Sequence, residues 1–234
     1  MFRKIYSLQQ KIYEFKRKSA DIGVPIFMIH HVSDAPLNEE VNLSIRTTEF
    51  KTFINGLMNE GYQIIRPDQL EESFEKKACM ITFDDIFKDA LENGISFLED
   101  NHIPYVCFIS PGFLGAERYI NESELDVLRK SSHCTIGAHG INHKLFRKLT
   151  GNEKAEEISK EKHELLLGCE IEDFAFPYGS LYGCDKTSIK MTNEQYLRVY
   201  STLNYQATRD STYFIPRINL NSKYIWLHKR NGRK

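Results

Sequence analysis

The stretch Cys79-Met80-Ile81-Thr82-Phe83-Asp84-Asp85 decides how the chain is read. Its apolar run has the length of one buried strand, and it ends in two adjacent carboxylates. Like charges this close raise each other's pKa and repel unless a cation or a proton neutralises them. The pair therefore asks for a cation, and the question is what stands at the ends of the other apolar runs.

Working outward, Ile26-Phe27-Met28-Ile29 runs into His30-His31. The run 104–109 ends in Ser110-Pro111-Gly112, 134–138 ends in His139, and 174–176 ends in Pro177-Tyr178-Gly179. Shorter strands are expected over 62–65, 198–202 and 213–220. Between them the periodicity predicts helices over 47–59 (closed by Gly61), 87–99, 122–130, 152–167 (closed by Gly168) and 185–196. Strands alternating with helices at a spacing of roughly 25–30 residues indicate repeated βα units and a mostly parallel sheet. Seven or eight such units fit an α/β barrel, closed or incomplete. Parallel α/β folds build their sites at the C-terminal ends of the strands. Four of the runs deliver His30 and His31, Asp84 and Asp85, His139, and Tyr178 to that edge.

The 234 residues suit one domain of the larger kind, and an ordinary balance of 41% hydrophobic and 27% charged residues excludes gross disorder. The net charge of −1 conceals a pattern: residues 1–18 carry +5, the last six carry +4, and the middle carries −10. Residues 2–18 place Phe2, Ile5, Leu8, Ile12 and Phe15 at helical spacing among basic residues. Such a helix docks on the body or lies on an anionic membrane surface. The expected organisation is this helix in 1–22, one domain over 23–228 and a basic tail over 229–234. The five cysteines form no CxxC pair and read as buried thiols in a reducing compartment. No run reaches the length of a membrane span, and the N-terminus is too charged for the apolar core of a signal peptide. A cytoplasmic protein, at most at the membrane surface, is expected, with no nucleic-acid partner.

A second signal is His139-Gly140-Ile141-Asn142-His143. Histidines four apart on a helical turn present both rings to one ion. With a strand-terminal Asp they make a two-His, one-carboxylate set. That set suits a catalytic zinc or another divalent metal, because three protein ligands leave positions for water and substrate. Only one aspartate is needed as a ligand. The other is free to take a proton from water whose pKa the ion lowers from about 15.7 toward about 7. The nucleophile so made suits an amide or ester carbonyl. Its oxyanion needs a backbone N–H, which the turn at Pro177-Tyr178-Gly179 can supply, and the leaving amine needs an acid such as His30.

In order, Ile81-Thr82-Phe83-Asp84-Asp85, the His139–His143 motif and Phe174-Ala175-Phe176-Pro177-Tyr178-Gly179 resemble the three core motifs of the polysaccharide deacetylases, the NodB-homology family. The opening Met28-Ile29-His30-His31-Val32 is similar to the first strand of the branch that de-N-acetylates poly-N-acetylglucosamine. The resemblance implies a distorted (β/α) barrel of about seven strands and metal-dependent removal of acetyl from an N-acetylated glycan. It implies Asp84 as base, Asp85, His139 and His143 as ligands of one divalent ion (zinc in the first place), and Tyr178 beside Pro177 at the oxyanion. It implies His30 as the acid, with His228 as the second candidate and His31 pointing away along the strand. Three positions depart from the family pattern. Ile86 stands where a Gly is usual, Gly140 where a Ser or Thr steadies the loop, and Ala175 where an Arg pairs with the base. Arg217 is the candidate to bring a guanidinium to Asp84 instead, the alternative being a surface or structural ion pair. An impaired glycan- or partner-binding relative, and an amidase on a small non-sugar substrate, are the alternatives. Phe87, Phe113, Tyr178 and Tyr182 are read either as sugar-stacking rings or as core.

Overall fold

Every residue of Ala78–Asp84 is buried, but the side chains join two different apolar clusters with a period of two, and that alternation separates the two layers of the molecule. Cys79, Ile81 and Phe83 pack in one apolar cluster with Phe50, Ile54, Leu98 and Leu125 from the helices. Ala78 and Met80 pack in another with Val106, Phe108, Ala175 and Tyr200 from neighbouring strands. The first is the layer between sheet and helices; the second fills the barrel. Each wholly buried side chain such as Ile81 or Phe83 contributes about 1.5–3 kcal/mol of apolar burial. Continuing the alternation, Thr82 and Asp84 face the barrel interior.

The structure, a computed structural model, describes residues 23–211 and 213–225. Its strands, in chain order, are β1 (Ile26–Ile29), β2 (His31–Val32), β3 (Ser44–Ile45), β4 (Gln63–Ile64), β5 (Ala78–Asp84), β6 (Tyr105–Ile109), β7 (Cys134–Ala138), β8 (Asp173–Ala175), β9 (Arg198–Tyr200) and β10 (Ile218–Asn219). Seven of them form a curled sheet in the order β10-β1-β5-β6-β7-β8-β9, with β4 added on β5. Every pairing in it is parallel. The strands β2 and β3 make a separate parallel pair. The sheet's ends meet through one parallel bridge, Tyr200↔Ile215, in the run that enters β10. Closure by a single bridge is what makes the barrel distorted and incomplete, as the sequence predicts.

Several expected elements are changed by packing. The helix expected over 152–167 is two, Gly151–Ile158 and Lys160–Leu167. Ser159 breaks it by leaving helical geometry and accepting the Lys162 N–H on its side chain, so it caps the second helix. The helix expected over 87–99 carries a π turn at Leu91–Ile95. A Cβ at Gly94 would lie 2.8 Å from Val32 Cγ2, so this turn sits where the helix backbone meets β2. The strand expected over 213–220 reduces to the Ile215 bridge and β10. The helix Glu122–Lys130 falls where expected, fixed by a capping box between Asn121 and Glu124. The amphipathic segment 2–18, the tail 229–234 and His228 lie outside the described residues.

Candidate active site

Asp84 ends β5 facing into the barrel, and its carboxylate is gripped by Arg217. The guanidinium donates from Nη1 to Oδ1 at 2.6 Å and from Nη2 to Oδ2 at 2.8 Å. Arg217 is 0% exposed and Asp84 1%. The guanidinium also donates to the Ser201 carbonyl and the Thr82 hydroxyl and lies 5.1 Å over the Phe108 ring. Burial alone would push the Asp84 carboxyl up, but Arg217 and then His139 hold it well below the usual carboxylate range. The arginine expected from the sequence thus reaches Asp84 from the run entering β10, while the side chain of Ala175 lies in the barrel core.

Asp85 turns the other way. The chain bends sharply after β5, with Asp85 at φ 66° and Ile86 at φ 48°. The Ile86 N–H donates back to the Asp84 carbonyl at 2.8 Å, the Asp85 N–H donates to the Phe108 carbonyl, and the Ile86 carbonyl accepts from the Ile120 N–H. The turn therefore keeps the left-handed geometry that favours glycine, although the residue there is β-branched. The sequence reading expects Ile86 to force a different turn; instead its buried side chain in the outer core holds the strained backbone, at a cost of about 1–3 kcal/mol.

This turn brings Asp85 to the two histidines. Asp85 Oδ1 lies 3.3 Å from His143 Nε2 and 3.9 Å from His139 Nε2. The ligand atoms of Asp85, His139 and His143 all lie within 4.8 Å of one another. His139 donates its Nδ1–H to the Ala175 carbonyl at 2.7 Å, which fixes the tautomer and leaves Nε2 with a free lone pair. Asp85 Oδ1 is buried with no hydrogen-bond partner. Burial and the neighbouring Asp84 charge push the Asp85 carboxyl up to about 8, and burial lowers His139 to about 3. An orphaned carboxylate oxygen facing two neutral imidazole nitrogens fits a divalent cation, which would supply the missing charge and bonds.

The two histidines do not share a helical turn, as the i, i+4 spacing suggested. Residues 139–145 are irregular, with Gly140 at φ 72° and His143 at φ 53°. A Cβ at Gly140 would lie 3.3 Å from both Glu157 Oε2 and Pro177 Cγ, so those groups occupy the place a larger residue would need. Tyr178 stands at φ 51° and is 57% exposed, on a turn held by the Gly179 carbonyl accepting from Thr202 N–H. A Cβ at Gly179 would meet the Phe176 carbonyl at 2.9 Å, so only glycine fits there. The Tyr178 ring sits 4.9 Å from the His143 ring.

His30 follows β1 in phase with the inward-facing Ile26. Its Nδ1 is buried without a hydrogen-bond partner. Burial lowers its pKa to about 4, and Asp84 is the strongest of the charges acting on it. His31 faces outward, stacked 3.9 Å from the Phe87 ring with Nδ1 3.0 Å from Asp89 Oδ2. Strand alternation thus separates the two histidines, as expected. The aromatic residues form a row, Phe87 to Tyr119 to Phe113 to His143, with ring centroids 4.6, 4.7 and 5.6 Å apart. Tyr119 carried no signal in the sequence, being one aromatic among many in a loop.

The C-terminal edge of this incomplete parallel barrel thus carries a candidate Asp–His–His cation site and, beside it, a second, arginine-held carboxylate. Residues 71–207 match the family model for polysaccharide deacetylase, and the chain belongs to that family. It is 22% identical over 181 residues to YxkH of Bacillus subtilis (strain 168), a protein assigned by name to the polysaccharide deacetylases. That match covers 72% of this chain and spans 63% of the length of the curated relative. Among solved structures, IcaB from Ammonifex degensii superposes with a TM-score of 0.76 at 16% identity, covering 92% of this chain and 99% of the other. The polysaccharide deacetylase BC0361 from Bacillus cereus gives 0.73 at 20%, covering 84% and 64%. The Streptococcus pyogenes deacetylase PplD, solved with acetate, gives 0.74 at 18%, covering 84% and 92%.

Proposed function

We propose that the chain removes N-acetyl groups from an N-acetylated amino sugar in a glycan, using one divalent ion, zinc in the first place, held by Asp85, His139 and His143. The observation that carries the reading is the orphaned Asp85 Oδ1 facing two imidazole nitrogens, beside a separate carboxylate held as an anion by Arg217. The match to the polysaccharide deacetylase model supports the choice of an acetylated glycan as substrate, and PplD, a deacetylase solved with acetate, is consistent with acetyl as the group removed. When bound, the ion supplies a Lewis acid that polarises the amide carbonyl and lowers the pKa of water.

The chain's own residues do the rest. Asp84, immobilised and ionised, accepts the proton of the attacking water. The Tyr178 N–H, which has no acceptor among the described residues, donates to the developing oxyanion, with Pro177 stiffening the turn. His30 is neutral at rest, so the proton it gives the leaving amine comes from that water by way of Asp84. Water's hydroxyl ends on acetate and its proton on the amine, which balances the hydrolysis. The three departures that pointed to an impaired relative each have a local compensation. Ile86 keeps the left-handed turn, Glu157 and Pro177 fill the space beside Gly140, and Arg217 replaces the arginine absent at Ala175.

The test is Asp84→Asn assayed for acetate release from N-acetylglucosamine oligomers, with metal content measured alongside. Turnover should vanish while the ion is retained; a variant at wild-type rate refutes the assignment. Contact of residues 2–18 with anionic membrane is a proposal from their basic amphipathic pattern, and a cytoplasmic location is one from the cysteine usage and the charged N-terminus. Unchanged co-sedimentation with anionic vesicles after deletion of residues 1–18 would refute the first. No helix among the described residues is long and apolar enough to cross a membrane.

A further inference from the structure

The loop between the two histidines is too irregular to hold itself, and most of what holds it comes from one buried acid. Glu157 lies on the helix Gly151–Ile158 and is 1% exposed. Its Oε2 accepts the Asn142 backbone N–H at 2.8 Å, and its Oε1 accepts the Asn142 side-chain N–H at 2.8 Å. Lys144 Nζ lies 3.5 Å from Oε1. The Glu157 backbone carbonyl accepts the Ile141 N–H. All these donors belong to residues 141–144, inside or next to the His139–His143 span. On the loop's far side Gly112 donates its N–H to the Ile141 carbonyl, and a Cβ there would lie 2.8 Å from both Ile141 O and Asn142 Oδ1. The loop is clamped between Gly112 and Glu157, with His143 held in left-handed backbone geometry at its end.

We propose that Glu157 is a positioning residue for the ion-binding corner, setting where His143 Nε2 stands relative to His139 and Asp85. The inference rests on the metal reading of those three residues. A buried carboxylate whose hydrogen bonds all run to one loop spends its desolvation cost on that loop's geometry. Its helix is anchored independently, by a capping box at Thr150 and Glu153 and by Lys154 pairing with Asp185 at 2.6 Å. The helix therefore has reasons to persist when Glu157 is changed.

The experiment titrates Zn2+ into chelator-stripped protein against a competing indicator, for wild type, Glu157→Ala, Glu157→Gln and Asn142→Ala. Visible spectra of the Co2+ forms and thermal unfolding of the stripped proteins accompany it. Glu157→Ala should weaken Zn2+ binding by about 10–100-fold and alter the Co2+ bands, the scale of losing an outer support of a metal site, here acting through the loop backbone that carries His143 rather than on a ligand directly. Glu157→Gln should stay near wild type, because its amide still accepts the Asn142 N–H and can pair with the Asn142 side chain once that amide flips. Asn142→Ala is a change at an exposed side chain that leaves the fold intact, keeps only the backbone bond and should fall between; it decides the matter if Glu157→Ala does not fold. Wild-type Zn2+ affinity and Co2+ spectrum in Asn142→Ala or Glu157→Ala overturn the inference, as does a Gln variant no better than the Ala one. A wild-type protein that binds no Zn2+ overturns the metal reading itself and this inference with it.

Discussion

Replacing Arg217 with Met isolates the interaction on which the proposed base depends. The guanidinium and the Asp84 carboxylate meet in a bidentate pair at 2.6 and 2.8 Å, both essentially sealed from solvent. Removing one partner of such a pair leaves an uncompensated buried charge and costs about 3–5 kcal/mol. For a chain of this size that is a drop of roughly 6–20 °C in Tm. The pH dependence has a definite sign. In the wild type burial opposes ionisation, but Arg217 and then His139 hold Asp84 well below its unfolded value of 3.8. A depressed carboxylate contributes stability that is present above the unfolded pKa and lost as pH falls through the folded one, so Asp84 adds no slope between pH 5 and 9. In Arg217→Met, burial dominates and the folded pKa rises above 3.8. Stability then falls as pH rises from 5 until Asp84 has ionised, by up to about 1.4 kcal/mol per pH unit. Urea denaturation of metal-free protein at pH 5, 7 and 9 measures both effects. The double variant Asp84→Asn/Arg217→Met removes the orphaned charge and should recover part of the loss. A single variant within about 1 kcal/mol of wild type at pH 7, which is the scale of an exposed ion pair, refutes the reasoning. So does a double variant less stable than Arg217→Met.

Asp85→Asn should abolish metal binding and flatten the alkaline limb of metal-free stability. With a folded pKa pushed up to about 8 against 3.8 unfolded, Asp85 holds a proton only in the native state, so wild-type stability falls by about 1.4 kcal/mol per unit near pH 6.5, easing to about half that at pH 8. Melting curves of chelated wild type and variant across that window check it. Ile86→Gly should be more stable than Ile86→Ala by about 1–2 kcal/mol, the reverse of the order in a helix, because only glycine adopts φ 48° without strain; denaturation of the pair decides. His30→Gln should lower kcat by about 10²–10⁴ if His30 is the acid. The same change should remove one acid-side contribution to stability. His30 has a folded pKa of about 4 against 6.5, so its share is present above pH 6.5 and lost as pH falls to 4.

Much of this was legible in the sequence, because strand period and strand-end chemistry are local. The alternation in 79–85 sends Asp84 inward whatever the rest of the chain does, and the same alternation separates His30 from His31. The motif spacing sufficed to propose the ligand set. The i, i+4 reading of His139 and His143 paired two residues that the structure also brings together, but through the wrong local structure. Sequence spacing cannot distinguish a helical turn from a loop that Gly140 and a left-handed His143 bend to similar effect. Ile86 raised an expectation of a different turn because the cost of its backbone is local, whereas the packing that holds it comes from elsewhere in the core.

The sequence by itself determined which residues are chemically able and at which end of the barrel they stand. The tertiary structure decided their division of labour. Asp84 and Asp85 are identical neighbours in the chain. They differ because a 133-residue-distant arginine grips one, while the other is buried beside that negative charge with no cation of its own among the described residues, which sends their pKa values in opposite directions. Glu157 makes the same point. In the sequence it is one acid in the charged run Asn152-Glu153-Lys154-Ala155-Glu156-Glu157, and nothing local marks it. Only folding buries it against Asn142, because the helix phase and the loop's path are set by contacts that spacing along the chain does not encode.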